Sequence, residues 1–232
     1  MKIGIFGDIH GNRYAFEKIY EQLKKETCDM HIFLGDVCGY YYQQNEVIDI
    51  LRDIPHLRAV AGNHDNMFLE ALENPSLMML YSNNFSRSFQ LLKENISGPN
   101  LTFLRNLPEE LLLHPYNIAV YHGSPWRPFV EYIYPDSPLE RFAELPFEIV
   151  FLGHTHHPMD RTCDGVRVIN PGSAGQPRDR GWPSYAIYDT ETKKAETRRV
   201  TYDVSALIRD IENMNENKPY LIEILQQTRA QI

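Results

Sequence analysis

The first twelve residues, Met1–Asn12, read MKIGIFGDIHGN and give the first indication of the fold. A short apolar run from Ile3 to Phe6 is typical of a buried strand, and a polar cluster, Asp8-Ile9-His10-Gly11-Asn12, follows it. Apolar residues then recur at three- and four-residue spacing, which predicts a helix that buries one face. These residues are Ala15, Phe16, Ile19, Tyr20 and Leu23. The chain therefore opens with a strand, a loop and a helix.

The same unit recurs twice in the first third of the chain. One apolar run, 31–34, leads into Gly35-Asp36 and a helical pattern over 46–51, and another, 57–60, leads into Gly62-Asn63-His64-Asp65. Three such units predict a largely parallel sheet with helices on its faces. Residues 66–110 show helical spacing without a clear strand, which indicates a cap-like helical segment beside the site.

Further strands are predicted in the second half, joined by connections rich in Pro and Gly. They fall at 118–121, 149–152, 166–169, 185–188 and about 196–202. This arrangement predicts a more antiparallel second half. The pattern over 204–232 is that of a helical C-terminal tail. A chain of 232 residues is expected to form one domain, 1–232.

The amino-acid composition limits the classes of function that the chain could have. The 23 basic and 31 acidic residues give a net charge of −8, which disfavours broad nucleic-acid binding and leaves a small phosphorylated substrate as the expected partner. No apolar run approaches the ~18 residues of a membrane span, and the first residues lack the pattern of a secretory signal. Three cysteines without CxxC spacing fit a reducing compartment. A cytoplasmic protein is therefore expected, and the oligomeric state is left open.

The strongest polar signals lie where an apolar strand ends. They are Asp8, His10, Asp36, Asn63, His64, His122, His154 and His156. Ligands of α/β sheets gather outside the carboxyl ends of strands, so these separate segments can converge. Asp8 and His10 are two residues apart, and an extended chain would send both side chains to one side. Each block alone could be an ordinary turn or helix cap, and it is their combination that indicates a site.

The side chains of this set suit divalent cations. Carboxylate, amide oxygen and imidazole ligands favour Mn, Fe, Zn or Ni over a thiolate-seeking ion; Mg is also a candidate, and Mn is preferred. Two ions ~3.5–4 Å apart share a bridging carboxylate and together clamp a phosphoryl group. Asp36 is the candidate bridge.

Five blocks, in this order, resemble the calcineurin-like metallophosphoesterase family. The blocks are Gly7–Asn12 (GDIHGN), Gly35-Asp36, Gly62–Asp65 (GNHD), Tyr121–Gly123 (YHG) and Gly153–His156 (GHTH). The resemblance covers about residues 1–190. The stretches Leu34–Tyr40, His122–Pro125 and Asn170–Arg178 make it similar to a bacterial and archaeal phosphodiesterase-like branch. It implies an α/β fold of two mixed β-sheets packed as a sandwich with helices on the outer faces.

The resemblance also implies a role for each residue. A first ion would be held by Asp8, His10, Asp36 and His156, and a second by Asp36, Asn63, His122 and His154. His64 would not be a ligand but a catalytic residue beside the scissile phosphate, with an ordinary imidazole pKa near ~6.5. The implied reaction is phosphodiester hydrolysis by in-line attack of a metal-bound hydroxide.

Three residues are candidates for substrate binding. Asn12 could contact a phosphate or cap the following helix, and Arg178 could face a phosphate or solvent. Tyr40 lies where Tyr40-Tyr41-Tyr42 departs from the family pattern, and these rings could stack on a base or be packing residues. Tyr132 and Tyr134, in the loop after His122, could shape the substrate side.

Three other functions remain open from the sequence. A phosphomonoesterase or protein phosphatase and a dinucleoside polyphosphate hydrolase would use the same ligands, but Gly35–Tyr40, around Asp36, lacks the Asp-Arg-Gly motif of that branch. A non-catalytic scaffold of the same fold is the third alternative. It is disfavoured because no ligand of the set is missing.

Overall fold

The computed structural model describes residues 1–229. Its first half alternates strands and helices: β1 (Lys2–Phe6), α1 (Arg13–Glu26), β2 (Met30–Phe33), α2 (Gln44–Arg52) and β3 (Leu57–Ala59). Four helices follow: α3 (Asn63–Glu73), α4 (Pro75–Asn84), α5 (Ser88–Asn95) and α6 (Gly98–Arg105). The second half contains β4 (Glu110–Leu113), β5 (Ile118–Tyr121), β6 (Ile149–Phe151), β7 (Pro158–Cys163), β8 (Val166–Pro171), β9 (Ser184–Asp189) and β10 (Ala195–Arg199). Helices α7 (Val204–Asn213) and α8 (Pro219–Arg229) end the described chain.

The strands form two mixed five-stranded sheets, as the resemblance implies. One sheet has the order β10-β9-β1-β2-β3, and the other has the order β4-β5-β6-β8-β7. Strands β1, β2 and β3 pair in parallel, as their βα pattern predicts. The second half is more antiparallel than the first, as predicted, but β5, β6 and β8 at the centre of the second sheet pair in parallel. Strands β4 and β7 at its edges are antiparallel to their neighbours.

Side chains of alternating strand positions fill two different apolar layers. Ile3 and Ile5 of β1 lie between the two sheets, together with Val120 and Phe151 of the second sheet. Phe6 points to the opposite face, where it packs against Phe16 of α1 at a ring-centroid distance of 5.2 Å. This alternation is the two-residue period of a strand. It fixes the register of β1 and hence the position of the polar loop that follows it.

The predicted helical segment near 66–110 is observed, with shifted ends. It starts at Asn63, inside the third polar block, and ends at Arg105, because residues from Glu110 onward form β4. Its action as a cap stays a prediction.

The C-terminal tail is helical over its described part, and residues 230–232 of the predicted tail lie outside the described residues. Within residues 1–229, no helix has both the length and the apolar character needed to cross a membrane.

Candidate metal centre

The polar residues predicted from the strand ends meet in one place. Asp8 and His10 follow β1, Asp36 follows β2, Asn63 starts the helix after β3, and the three remaining imidazoles, of His122, His154 and His156, follow β5 and β6. All seven are buried apart from Asn63, which is half-buried. Three groups of potential ligand atoms have members within 4.8 Å of one another. They are Asp8-His10-His156, His10-Asp36-His64 and Asp36-His122-His154.

Left-handed backbone conformations bring several of these side chains together. Asp8, His10 and Asp36 have φ values of 52°, 50° and 60°, and His154 and His156 have 67° and 59°. Such values are uncommon for residues other than glycine, and they cost about 1–3 kcal/mol each, so they persist only where the surrounding structure enforces them. Asp8 and His10 therefore converge because their backbone is left-handed, and not because side chains alternate along an extended chain, as the sequence suggested.

Backbone carbonyls fix the orientation of three imidazole rings. The Nδ1 atoms of His10 and His122 lie 2.7 Å from the carbonyl oxygens of Cys38 and Leu34, and Nδ1 of His156 lies 2.6 Å from that of Gln176. Because a carbonyl only accepts, Nδ1 carries the hydrogen in each ring. In the neutral form, each Nε2 then presents a lone pair to the interior of the site, as in metal-binding histidines.

Imidazole nitrogens inside the site have lone pairs that could bind a cation. Nε2 of His10 and Nε2 of His156 lie 3.0 Å apart, and neither can donate to the other when both Nδ1 atoms are protonated. The buried Nε2 of His154 has no hydrogen-bond partner. Orphaned buried acceptors are unfavourable unless a donor or cation meets them, so the residues present fit divalent metal.

Asp36 lies between the two halves of the centre. Its Oδ2 is 3.6 Å from Nε2 of His10 and 3.3 Å from Nε2 of His122, while Oδ1 accepts the backbone N–H of His64 at 2.8 Å. On the second side, Nε2 of His122 is 3.0 Å from Oδ1 of Asn63. One carboxylate thus reaches both clusters of imidazoles.

Burial and the charges of neighbouring residues shift the pKa values of the carboxylates and imidazoles of the site in different directions. Burial raises the pKa of Asp8 to about 7 and lowers that of His154 to about 3. Burial also opposes the charged form of His122, but Asp36 and Asp8 outweigh it and raise the pKa of His122 to about 9. In the protein alone at pH 7, His122 therefore carries a positive charge, and protonation neutralises part of the Asp8 population. A divalent cation would replace these protons, so metal binding is coupled to proton release.

His64 lies beside this centre in an aromatic pocket. Its ring contacts Phe85 and Tyr40 at centroid distances of 4.6 Å and 5.0 Å, and the ring of His10 at 4.9 Å. Burial lowers its pKa to about 4, below the ordinary value that the sequence-based interpretation used. The ring is therefore neutral at pH 7 in the protein alone. A neutral imidazole still offers one N–H donor to a phosphate oxygen.

Asp65 has a structural role that the sequence-based interpretation missed. Its buried carboxylate accepts four backbone N–H groups, those of Gly62, Asp36, Val37 and Cys38, at 2.8–3.0 Å. It thereby fastens the loop of Asp36 to the start of α3. The signal was present in the sequence, because an acidic residue at the third helical position is typical of a capping box.

The three predicted substrate residues differ in what their side chains contact. Asn12 is buried and caps α1: its Oδ1 accepts the N–H of Ala15 at 3.1 Å, and its Nδ2 donates to Gly175 O at 2.7 Å and to Tyr202 Oη at 3.0 Å. The geometry favours the capping alternative, since both polar atoms of the amide have protein partners.

Tyr40 and Arg178 form a pair at the edge of the centre. Tyr40 is 8% exposed, and Tyr41 and Tyr42 are buried with it against α7 and α8, as in the packing alternative. Arg178 is exposed, and its Nη2 donates to the Tyr40 hydroxyl at 3.0 Å. The positive charge of Arg178 lowers the pKa of His10, His64 and His156, in each case adding to the larger effect of burial. Its charge therefore reaches the candidate centre.

Comparisons with known proteins agree with this architecture. The family model described as the calcineurin-like phosphoesterase superfamily domain matches residues 1–193. An uncharacterized protein of Methanocaldococcus jannaschii, MJ0912, is 32% identical over 224 residues, which cover 87% of this chain and 88% of that protein. This chain belongs to the calcineurin-like phosphoesterase superfamily.

Two further similarities are to named phosphoesterases. The phosphodiesterase MJ0936 of the same archaeon is 24% identical over 195 residues, covering 84% of this chain and 96% of that protein. The crystal structure of a metallophosphoesterase from Sphaerobacter thermophilus superposes with a TM-score of 0.82 at 25% identity, covering 98% of this chain and 100% of that one. Members of the superfamily are generally metal-dependent hydrolases, and the candidate ligand groups of this chain agree with metal binding.

Proposed function

We propose that the protein is a phosphodiesterase that depends on two divalent ions. The observation that carries the proposal is the position of the Asp36 carboxylate between two clusters of inward-facing imidazole nitrogens. The similarity to a protein named as a phosphodiesterase favours diesters over monoesters. The absence of an Asp-Arg-Gly motif from Gly35–Tyr40 favours the same choice.

Two sets of ligands would hold the ions, with Asp36 common to both. The first set adds Asp8, His10 and His156, and the second adds Asn63, His122 and His154. Mn is the preferred ion, with Fe, Ni, Zn and Mg as the other candidates. Two bound ions would supply a hydroxide nucleophile at neutral pH and neutralise the phosphoryl oxygens.

The protein's own side chains would bind and orient the substrate. Arg178 provides a guanidinium whose parallel N–H groups match two phosphoryl oxygens. His64 provides an N–H to the leaving oxygen, and its aromatic pocket with Tyr40 and Phe85 holds the ring in place. The expected partner is a small phosphorylated molecule in the cytoplasm, such as a nucleotide or another phosphodiester.

Two substitutions separate metal binding from chemistry. Asp36→Ala is expected to lose metal from both positions together with hydrolysis of bis(p-nitrophenyl) phosphate, because the carboxylate reaches both clusters. His64→Ala is expected to keep the metal and lose turnover. Replacement of the exposed His114, which precedes β5 at the end of that strand opposite His122, should change neither property and serves as the control.

Elemental analysis of each purified protein gives the metal content, and release of p-nitrophenol gives the rate. Full activity in chelator-treated protein would refute the proposal. A panel of phosphodiesters, phosphomonoesters and dinucleoside polyphosphates, each tested with Mn, Ni, Mg and Fe, decides between the phosphatase alternatives. Tight metal binding without turnover on any of these substrates would instead identify a scaffold.

A further inference from the structure

Two exposed tyrosines continue the aromatic surface of the candidate centre toward solvent. The ring of Tyr132 stacks on the ring of His154 at a centroid distance of 3.8 Å, with 25° between the planes. Tyr134 stacks on Tyr132 at 5.8 Å and 10°. The two tyrosines are 44% and 39% exposed. A ladder of three nearly parallel rings therefore leads from a predicted metal ligand to the surface.

The loop that carries this ladder is held in place from both sides. Ile133, between the two tyrosines, is buried in the apolar layer that contains Phe142. On one side, Glu131 accepts hydrogen bonds from Ser124 and Arg141. Burial of one residue fixes its neighbours on the outer face, so the exposed rings do not have to become ordered when a ligand binds. Such pre-organisation lowers the entropic cost of binding.

The far end of the loop is anchored as well. Arg161 of β7 donates hydrogen bonds to the carbonyl oxygens of Pro135 and Ser137, at 2.9 Å and 2.6 Å. The ring of Tyr134 also meets the ring of His157 edge-on, at 5.8 Å. The tyrosines are thus supported by the second sheet as well as by the loop itself.

The ladder and Arg178 lie around the same centre. Tyr132 stacks on His154 at one side of the centre. Arg178 donates a hydrogen bond to Tyr40, whose ring contacts His10 and His64 at the other side. A phosphate held between the metal ligands and Arg178 would place its ester substituent within reach of the tyrosine rings. Tyr40, Tyr41 and Tyr42 offer no comparable surface, because each is at most 9% exposed.

We propose that Tyr134, supported by the stacked ring of Tyr132, forms a stacking subsite for a planar aromatic group that the substrate carries on its phosphate. The proposal rests on the proposed function for the position of the phosphate. The chemistry required of the ligand is a flat π-system, which either a nucleobase or a simple aryl group supplies. Stacking of this kind tolerates different bases, so the subsite would select aromatic over aliphatic esters without reading a particular base.

Equilibrium binding to the metal-loaded protein tests the subsite without requiring turnover. Two matched pairs of ligands are compared by calorimetry: thymidine 5′-monophosphate with 2-deoxyribose 5-phosphate, and phenyl phosphate with cyclohexyl phosphate. Within each pair the phosphate is the same, and only the aromatic group differs. The aromatic member is expected to bind about 5- to 150-fold more tightly, which corresponds to the loss found when single base-stacking residues are removed.

Variants of Tyr134 assign the preference to the ladder. Tyr134 is chosen because its ring stacks on Tyr132 and not on His154. Tyr134→Leu is expected to reduce the aromatic preference to less than about twofold, while Tyr134→Phe keeps the ring and should keep the preference. Tyr116→Leu removes another exposed tyrosine, before β5 and at the end of that strand opposite His122, and should behave like the wild type.

The outcomes are distinguishable from those of the proposed function. A preference in both pairs supports a general aryl subsite, and a preference in the nucleoside pair alone supports a nucleobase subsite. Equal binding within both pairs, or an unchanged preference in Tyr134→Leu, would overturn the subsite. Protein that binds thymidine 5′-monophosphate in this Tyr134-dependent way yet hydrolyses no ester would retain the subsite and refute only the proposed catalysis.

Discussion

Replacing Gly39 with alanine is expected to abolish most turnover while leaving the metal in place. Gly39 follows Cys38, whose carbonyl orients His10, and a Cβ at this position would lie 2.4 Å from Nδ1 of His64. Ordinary van der Waals contacts begin at 3.4 Å, so the ring would have to retreat by about 1 Å. A displacement of about 1 Å in a catalytic group can reduce the rate about 10²-fold.

Backbone strain must be separated from this contact. Gly39 has φ +93°, a conformation that costs a residue with a side chain about 1–2 kcal/mol. Gly165 has nearly the same φ, +88°, but a Cβ there would meet no atom within 4 Å. Gly165→Ala is therefore the matched control: it carries the strain without the contact and should lower stability alone.

The assay combines three measurements on each variant: kcat for bis(p-nitrophenyl) phosphate, metal content by elemental analysis, and the free energy of unfolding in urea. Combining Gly39→Ala with His64→Ala completes a double-mutant cycle. Gly39→Ala should have little further effect on kcat once the imidazole is gone. An unchanged kcat in Gly39→Ala, or the same fold loss in both backgrounds, would show that the added Cβ does not act through His64.

Three further predictions follow from the same region. Asp65→Asn is expected to lower the free energy of unfolding in urea by about 3 kcal/mol, because an amide cannot accept all four backbone N–H groups. Asp160→Asn, at an exposed position, is the control. A decrease in Asp65→Asn no larger than that of the control would contradict the structural role of Asp65. Removal of metal by a chelator should lower the free energy of unfolding by about 2.7 kcal/mol, relative to protein in a solution that holds the metal at 100 times its dissociation constant. A melting temperature that does not depend on metal would argue against the site. Arg178→Gln should raise KM for phosphodiesters about tenfold with metal content unchanged, whereas a change in kcat alone would assign Arg178 a different role.

Local sequence patterns were sufficient to indicate which residues to examine. Each apolar run ended in a polar block, and the carboxyl ends of neighbouring parallel strands lie at one edge of a sheet. The loops after Phe6 and Phe33 could therefore be expected to meet, and the structure brings Asp8 and Asp36 into one buried cluster. Their roles as metal ligands stay predictions that the metal analyses above address.

The pairing of distant strands could not be inferred in the same way. The sequence predicts a more antiparallel second half, and β4, β7, β9 and β10 do pair antiparallel, yet β6 lies parallel to both β5 and β8. Short connections suggest hairpins, but β7 lies in sequence between β6 and β8 and forms the edge of the sheet. Which strands become neighbours depends on how whole faces of a sheet are buried. A short stretch of sequence does not contain that information.

Local sequence patterns predict the parallel strands of the first sheet and the polar side chains at the strand ends, and five ordered blocks indicate the superfamily. The way in which those side chains face one another is set by tertiary contacts. The left-handed backbone at Asp8 and Asp36, the carbonyls that orient three imidazoles, and the packing of Tyr40 against a helix almost 180 residues away all arise from contacts between distant segments. Strand and helix periods are properties of neighbouring residues, whereas burial and ligand geometry belong to the folded chain as a whole.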